Sequence, residues 1–352
     1  MQSRYRFIPD PYSGCLSTED TKKYFSRFAF SVFGFELAAF ASFEILANLF
    51  VMLVKNFFPG MLDVATFTSV STHVLNFIAI YAIALPVFCA IAKPLPTVRP
   101  AVEKMSIGSF LGGFCVCLVF MQAGSYISNF VITVIQNLSN TTLTNPVQTM
   151  IEDSDLWIDL LFLVILAPIL EELFFRKLLC SKLLVLGEGY AILISSVIFG
   201  LSHGNFFQFA YTALVGAVLA FIYVKTGRLI YTIIYHALLN LLGGIVAPLI
   251  IESIDFDKLN EVLGKENPSE AEVLELMSDT APLLVYEIAF MVLSIIGLVL
   301  IFKAIKKKNI RFDSGILPPP KKGRVANLLC TVGSAALVTV YVLFFVLSIL
   351  PV

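Results

Sequence analysis

The chain has 352 residues, 58% of them hydrophobic and 14% charged, with a formal net charge of -1. Soluble globular proteins are about 45–50% apolar and about 25% charged, so this composition excludes an ordinary soluble domain. The near-zero net charge offers no overall field for nucleic acid, and the fold class expected is an all-α polytopic transmembrane helical bundle of eight to nine spans.

Residues 1–27 are polar and lack the short apolar core and small-residue cleavage site of a signal peptide. They read as a cytoplasmic N-terminal segment, with the first span directing insertion. A spanning helix needs about 20 mostly apolar residues. That rule places spans near 28–54, 73–92, 107–135, 156–186, 189–208, 209–225, 228–251, 282–304 and 326–350. The organisation expected is N-terminal transmembrane helices over 28–155, a transmembrane core over 156–251, an acidic extracytoplasmic loop over 252–281 and C-terminal transmembrane helices over 282–352. The stretch "SHGNFFQF" is the sole break between the fifth and sixth spans. "PPPKKG" is the one module boundary the composition marks, so the last span also reads as an appendage to an eight-span core.

Loop charges set the orientation, because cytoplasmic loops carry the excess Lys and Arg. Arg4, Arg6, Lys22, Lys23 and Arg27 precede the first span, and Lys93, Arg99 and Lys104 follow the second. Lys225 and Arg228 flank a later turn, and Lys303, Lys306, Lys307, Lys308, Arg311, Lys321, Lys322 and Arg324 follow the eighth span. With nine spans all of these fall on one side. The opposite side receives "NLSNTTLTNPVQTMIEDSD" and the 252–281 segment, whose nine acids face only Lys258 and Lys265. The N-terminus is therefore expected inside. Cys15, Cys89, Cys115, Cys117, Cys180 and Cys330 show no disulfide framework or metal-ligand spacing.

Ionisable groups inside apolar spans are the functional candidates, because an ionised side chain at membrane depth costs roughly 2.5–3.5 kcal/mol on insertion scales. Glu171 and Glu172 lie side by side in "LEELFFRKLL". Arg176 is one helical turn beyond Glu172, where its fork can pair with that carboxylate. Glu171 sits about 100° further around the helix and is free to face another neighbour. Pro168 is expected to kink the helix one turn upstream. "VIFGLSHGNF" places Phe199 and His203 one turn apart, and "IIYHALLNLLGG" does the same for His236 and Asn240. His236 is eight residues from Arg228, about 12 Å into the membrane at the helical rise of 1.5 Å per residue. Glu36, Glu44 and Glu287 read as structural hydrogen-bonding groups without a patterned partner, His73 as an interfacial residue at a span end, and Phe199 as packing.

"EELFFR", "FGLSH" and "HALLN" follow the order EExxxR, FxxxH, HxxxN. This resembles the Abi or CPBP family, which comprises type II CAAX prenyl endopeptidases and bacteriocin-processing proteins. The resemblance covers about 156–250 and implies a helical intramembrane protease. It implies Glu171 as general base assisted by His203, with His236 and Asn240 binding the oxyanion and Glu172 and Arg176 as support. Peptide hydrolysis needs an activated water and a stabilised oxyanion, and these residue types can supply both without a metal or other cofactor. Zinc is the alternative, since two His and one Glu form a known zinc set. Its histidines would come from separate spans, and Asn240 suits an oxyanion better than zinc, so the metal-free reading is preferred. The expected partners are the lipid bilayer and a membrane-associated protein or peptide substrate, and the default location is a bacterial plasma membrane. Two other classes stay open: a catalytically silent binding or regulatory protein, and a proton-coupled transporter.

Overall fold

The computed structural model describes residues 5–6, 16–146, 148–149, 154–308, 310–320 and 323–350. Arg4, Cys15, Lys321 and Lys322 lie outside the described residues, as do 151–153 of the loop expected outside. Ser17 opens the first helix. Its Oγ accepts from the backbone N–H of Asp20 at 3.0 Å, with Glu19 and Asp20 set at the positive helix end. This capped polar turn extends α1 to Thr18–Phe57, ahead of the apolar run that begins near 28.

The chain continues through α2 (Ala65–Ala92), α3 (Ile107–Ser139), α4 (156–183), α5 (Glu188–Leu201), α6 (Phe206–Thr226) and α7 (Leu229–Glu252). After these come the short α8 (Phe256–Gly264), α9 (Glu270–Lys306), α10 (Arg324–Leu329) and α11 (Val332–Leu347). Among the described residues six helices, α1, α2, α3, α6, α7 and α9, are long and apolar enough to cross a membrane, and α5 and α11 are shorter apolar helices. The only strand pairing among the described residues joins Tyr5–Arg6 to Arg99–Pro100. The molecule is an all-α polytopic bundle. Its long helices turn apolar side chains outward, as α9 does with Ile295, Val299 and Phe302, the arrangement a lipid surround requires.

Helix α6 is the hub, packed on α3, α5 and α7, while α9 covers α3 and α1 packs on α2 and α11. Small residues set the closest approaches. A Cβ at Gly124 of α3 would lie 2.2 Å from the Tyr211 Cα of α6, and one at Gly333 of α11 would lie 2.0 Å from the Ser26 carbonyl oxygen of α1.

Four expectations change. The last helix is no appendage: besides the Gly333 contact, Tyr341 donates to Glu36 of α1 at 2.8 Å. The preceding strap docks on the turn after α4, with Leu317 N–H on Val185 O at 3.0 Å. The 252–281 segment is not simply a loop. Asp255 caps α8, and a reciprocal Ser269–Glu272 capping box starts α9 well before its apolar stretch. Helix α5 ends at Leu201 rather than near 208, because Asn205 caps α6 by accepting from Gln208 N–H at 3.0 Å. His73 lies within α2 and not at its end.

Candidate active site

The glutamates occupy the Ala167–Glu172 turn of α4, between two π-helical stretches, Leu160–Leu166 and Leu173–Cys180. Pro168 cannot donate a backbone hydrogen bond, and its ring crowds the carbonyl four residues back, so the wider turn ahead of it relieves both problems. Two more π-helical stretches, Ile78–Ala84 in α2 and Leu242–Val246 in α7, border the same region. Such turns re-aim side chains relative to a regular helix.

Glu172 is fully buried and held from two sides. Arg176 Nε donates to its Oε2 at 2.9 Å and Nη2 to Oε1 at 3.4 Å. His236 Nδ1 lies 3.2 Å from Oε1. With Arg176 as its counterion Glu172 accepts, so His236 Nδ1 carries the proton and Nε2 points away. That Nε2 lies 3.8 Å from Glu171 Oε2. Arg176 also sits over the Phe199 ring at 5.0 Å, a cation–π arrangement that packs α4 on α5.

Phe199 is buried and aligns both histidines. Its ring meets His203 edge-on at 5.1 Å and His236 at 5.6 Å, and its carbonyl oxygen lies 2.8 Å from His203 Nδ1. A carbonyl can only accept, so His203 also carries its proton on Nδ1 and leaves Nε2 as an acceptor. Asn240, one turn after His236, donates through Nδ2 to the Leu163 carbonyl oxygen at 2.9 Å. That bond fixes the amide plane and leaves its second N–H.

Glu171, His203, His236 and Asn240 line one cavity of about 550 Å³. A second, of about 510 Å³, shares Asn76, Ile80, Tyr81, Glu171 and His203 with it. The larger lobe adds the polar groups of Gln208, Tyr211 and Thr212, and the smaller is lined mainly by aromatic rings, Phe35, Phe40, Phe174 and Phe344 among them. Glu171 and His203 stand where the lobes meet, and Glu171 Oε2 makes no hydrogen bond within the described residues.

Several contributors were not singled out by sequence. His73 lines the larger lobe, bonded through Nδ1 to Ser69 O at 2.8 Å and tilted against the Phe162 ring at 4.9 Å, with no hydrogen-bond partner for Nε2 among the described residues. Asn76 and Tyr81 lie between the lobes, and a polar residue inside the apolar run of α2 was their only signal. Glu36, read as lacking a patterned partner, accepts from Ser202 Oγ at 2.5 Å and Tyr341 OH at 2.8 Å and lines the smaller lobe. Among the described residues, no three His, Cys, Asp or Glu side chains are arranged to hold a metal ion. The donor types of Glu171, His203 and His236 are ones that zinc takes.

The bundle thus brings a carboxylate, two imidazoles and an amide around one cavity. Residues 153–242 match the family described as Type II CAAX prenyl endopeptidase Rce1-like. The chain is similar to CAAX prenyl protease 2 of Homo sapiens, 33% identical over 100 residues, which cover 22% of this chain and 30% of the human protein. It is also similar to the putative membrane peptidase YdiL of Bacillus subtilis (strain 168), 38% identical over 77 residues, 22% of this chain and 32% of that protein. The chain thus spans about a third of the length of these curated relatives. No solved structure matches the chain.

Proposed function

We propose that the protein is an intramembrane endopeptidase that hydrolyses a peptide bond of a membrane-associated protein or peptide. One observation carries the reading: Glu171, with an unpartnered carboxylate oxygen, stands beside His236 Nε2 where two cavity lobes meet.

A water between Glu171 and His203 gives a proton to Glu171 and is oriented by His203 Nε2. Its oxygen attacks the scissile carbonyl carbon, and the carbonyl π electrons move onto oxygen. The Asn240 amide, held by its bond to Leu163 O, donates its second N–H to that oxyanion. His236 donates as well when Nε2 is protonated. Collapse of the intermediate breaks the C–N bond, and Glu171 returns its proton to the leaving nitrogen. Glu172 and Arg176 act as support: they hold the His236 ring by its other nitrogen. No step is routed through zinc, because Asn240 is an amide donor suited to an oxyanion.

The test is incubation of the purified chain with lipidated and unlipidated membrane peptides. Mass spectrometry should find a new peptide amine and carboxylate at one bond. A chain that binds such peptides and returns them intact is a binding protein, and one that moves protons without cleavage is a transporter.

A further inference from the structure

We infer that this site receives its peptide from the acidic, extracytoplasmic face of the membrane, so that its substrate is a segment presented on that side. The inference rests on the proposed endopeptidase reading for the word substrate, but the access route stands on separate observations.

The first observation is the lining. The larger lobe includes Asn145 and Pro146 from the connection after α3, Asn205 and Phe207 from the α5–α6 turn and Gly243 and Gly244 of α7. The smaller lobe includes Leu347 and Ser348 at the far end of α11. Neither lobe includes a residue of the basic connections 93–106, 227–228 and 307–320 or of the apolar turn 184–187 at the same end. The second observation is charge. Alternation of the helices puts Lys93, Lys104, Lys225, Arg228, Lys306 and Lys308 at one end of the bundle. The end that bears Asn145 also bears α8 with its acidic flanks. There Lys258 pairs with Glu275 and Asp279, and Lys265 pairs with Glu261 and Glu272. Lys and Arg mark the cytosolic end, so the cavity lies toward the other one.

The third observation is that the basic end is closed. Val185 and Leu186 are buried beneath the 311–317 strap. Lys225 bonds buried Glu188 and donates to the Arg311 carbonyl oxygen at 2.7 Å. Asp313 N–H donates to Glu188 Oε2 at 2.8 Å. Val98 N–H meets Ser181 O at 3.0 Å, and Glu103 N–H meets Thr226 O at 2.8 Å. A peptide coming from the cytosol would have to break this set of bonds, and one from the opposite side meets the larger lobe directly.

The experiment places one cysteine at Asn145 and, separately, one at Gln208 in the full chain in sealed, right-side-out membranes. Each is treated with a membrane-impermeant sulfonated maleimide, and labelling of the parent chain is subtracted. Asn145→Cys and Gln208→Cys should label to the same extent before and after permeabilisation, and Lys308→Cys only after it. Using two mouth positions guards against one variant failing to fold. Labelling of both mouth positions only after permeabilisation, or of Lys308→Cys from outside, overturns the inference. Neither reading needs turnover, so a chain that cleaves nothing yet labels from outside defeats the endopeptidase proposal alone.

Discussion

His236 reaches across from α7 to Glu172 of α4, with 3.2 Å between Nδ1 and Oε1. One imidazole nitrogen is thereby fixed, and the other is aimed at Glu171, 3.8 Å away. The bland member of the glutamate pair is what orients the reactive one's surroundings.

This relationship predicts a large stability effect at Arg176, which is fully buried with Glu172. Removing one partner of a buried pair costs about 3–5 kcal/mol, because the other charge is left uncompensated. Arg176→Ala should therefore lower the thermal unfolding midpoint in detergent far more than exposed Lys23→Ala. Equal midpoints would show that the pair does not hold α4, α5 and α7 together.

Asn240 gives a kinetic prediction. Asn240→Ala should slow turnover by roughly 10²–10³-fold, the usual cost of one oxyanion donor, with the effect in kcat. An unchanged kcat with a raised KM would place Asn240 in substrate binding instead.

Glu36 separates structure from chemistry. Gln keeps an oxygen to accept from Ser202 and Tyr341, so Glu36→Gln should leave stability nearly unchanged. Glu36→Leu removes that acceptor, while Ser202 keeps the Ile198 carbonyl at 2.9 Å and Tyr341 keeps the Ser202 hydroxyl at 3.2 Å, so the loss should be about 1 kcal/mol, the net value of one hydrogen bond. Urea unfolding of both variants in mixed micelles decides it, and equal losses would mean the remaining partners suffice for both hydroxyls.

The contacts within one helix were legible in the sequence, and those between helices were not. The Glu172–Arg176 contact follows from i, i+4 geometry, as does the placing of His236 and Asn240 on one helix face. The Glu172–His236 contact joins residues 64 apart, and Glu36–Tyr341 joins residues 305 apart. A lone polar residue in an apolar run gives no sign of which neighbour it meets, so Asn76 and Tyr81 were passed over and His73 was read as interfacial. The π-helical turns beside Pro168 shift the backbone too little to leave a compositional trace. Helix α5 ends at Leu201 rather than near 208, because the polar Ser202–Asn205 turn follows it and Asn205 caps α6.

Metal dependence is a separate test. Protein stripped with a chelator and dialysed should retain its turnover. Loss of turnover on stripping, restored in proportion to zinc bound at His203 and His236, would replace the direct water mechanism and leave the endopeptidase proposal in place.

The most direct test of the account is Glu171→Gln, a near-isosteric change whose amide cannot take a proton from water. Turnover of a cleaved membrane peptide is measured beside the unfolding midpoint of each protein. The account predicts an unchanged midpoint and a loss of at least about 10²–10⁴-fold in kcat, the contribution of a positioned general base. A well-folded Glu171→Gln protein that turns over within about tenfold of the parent would contradict it.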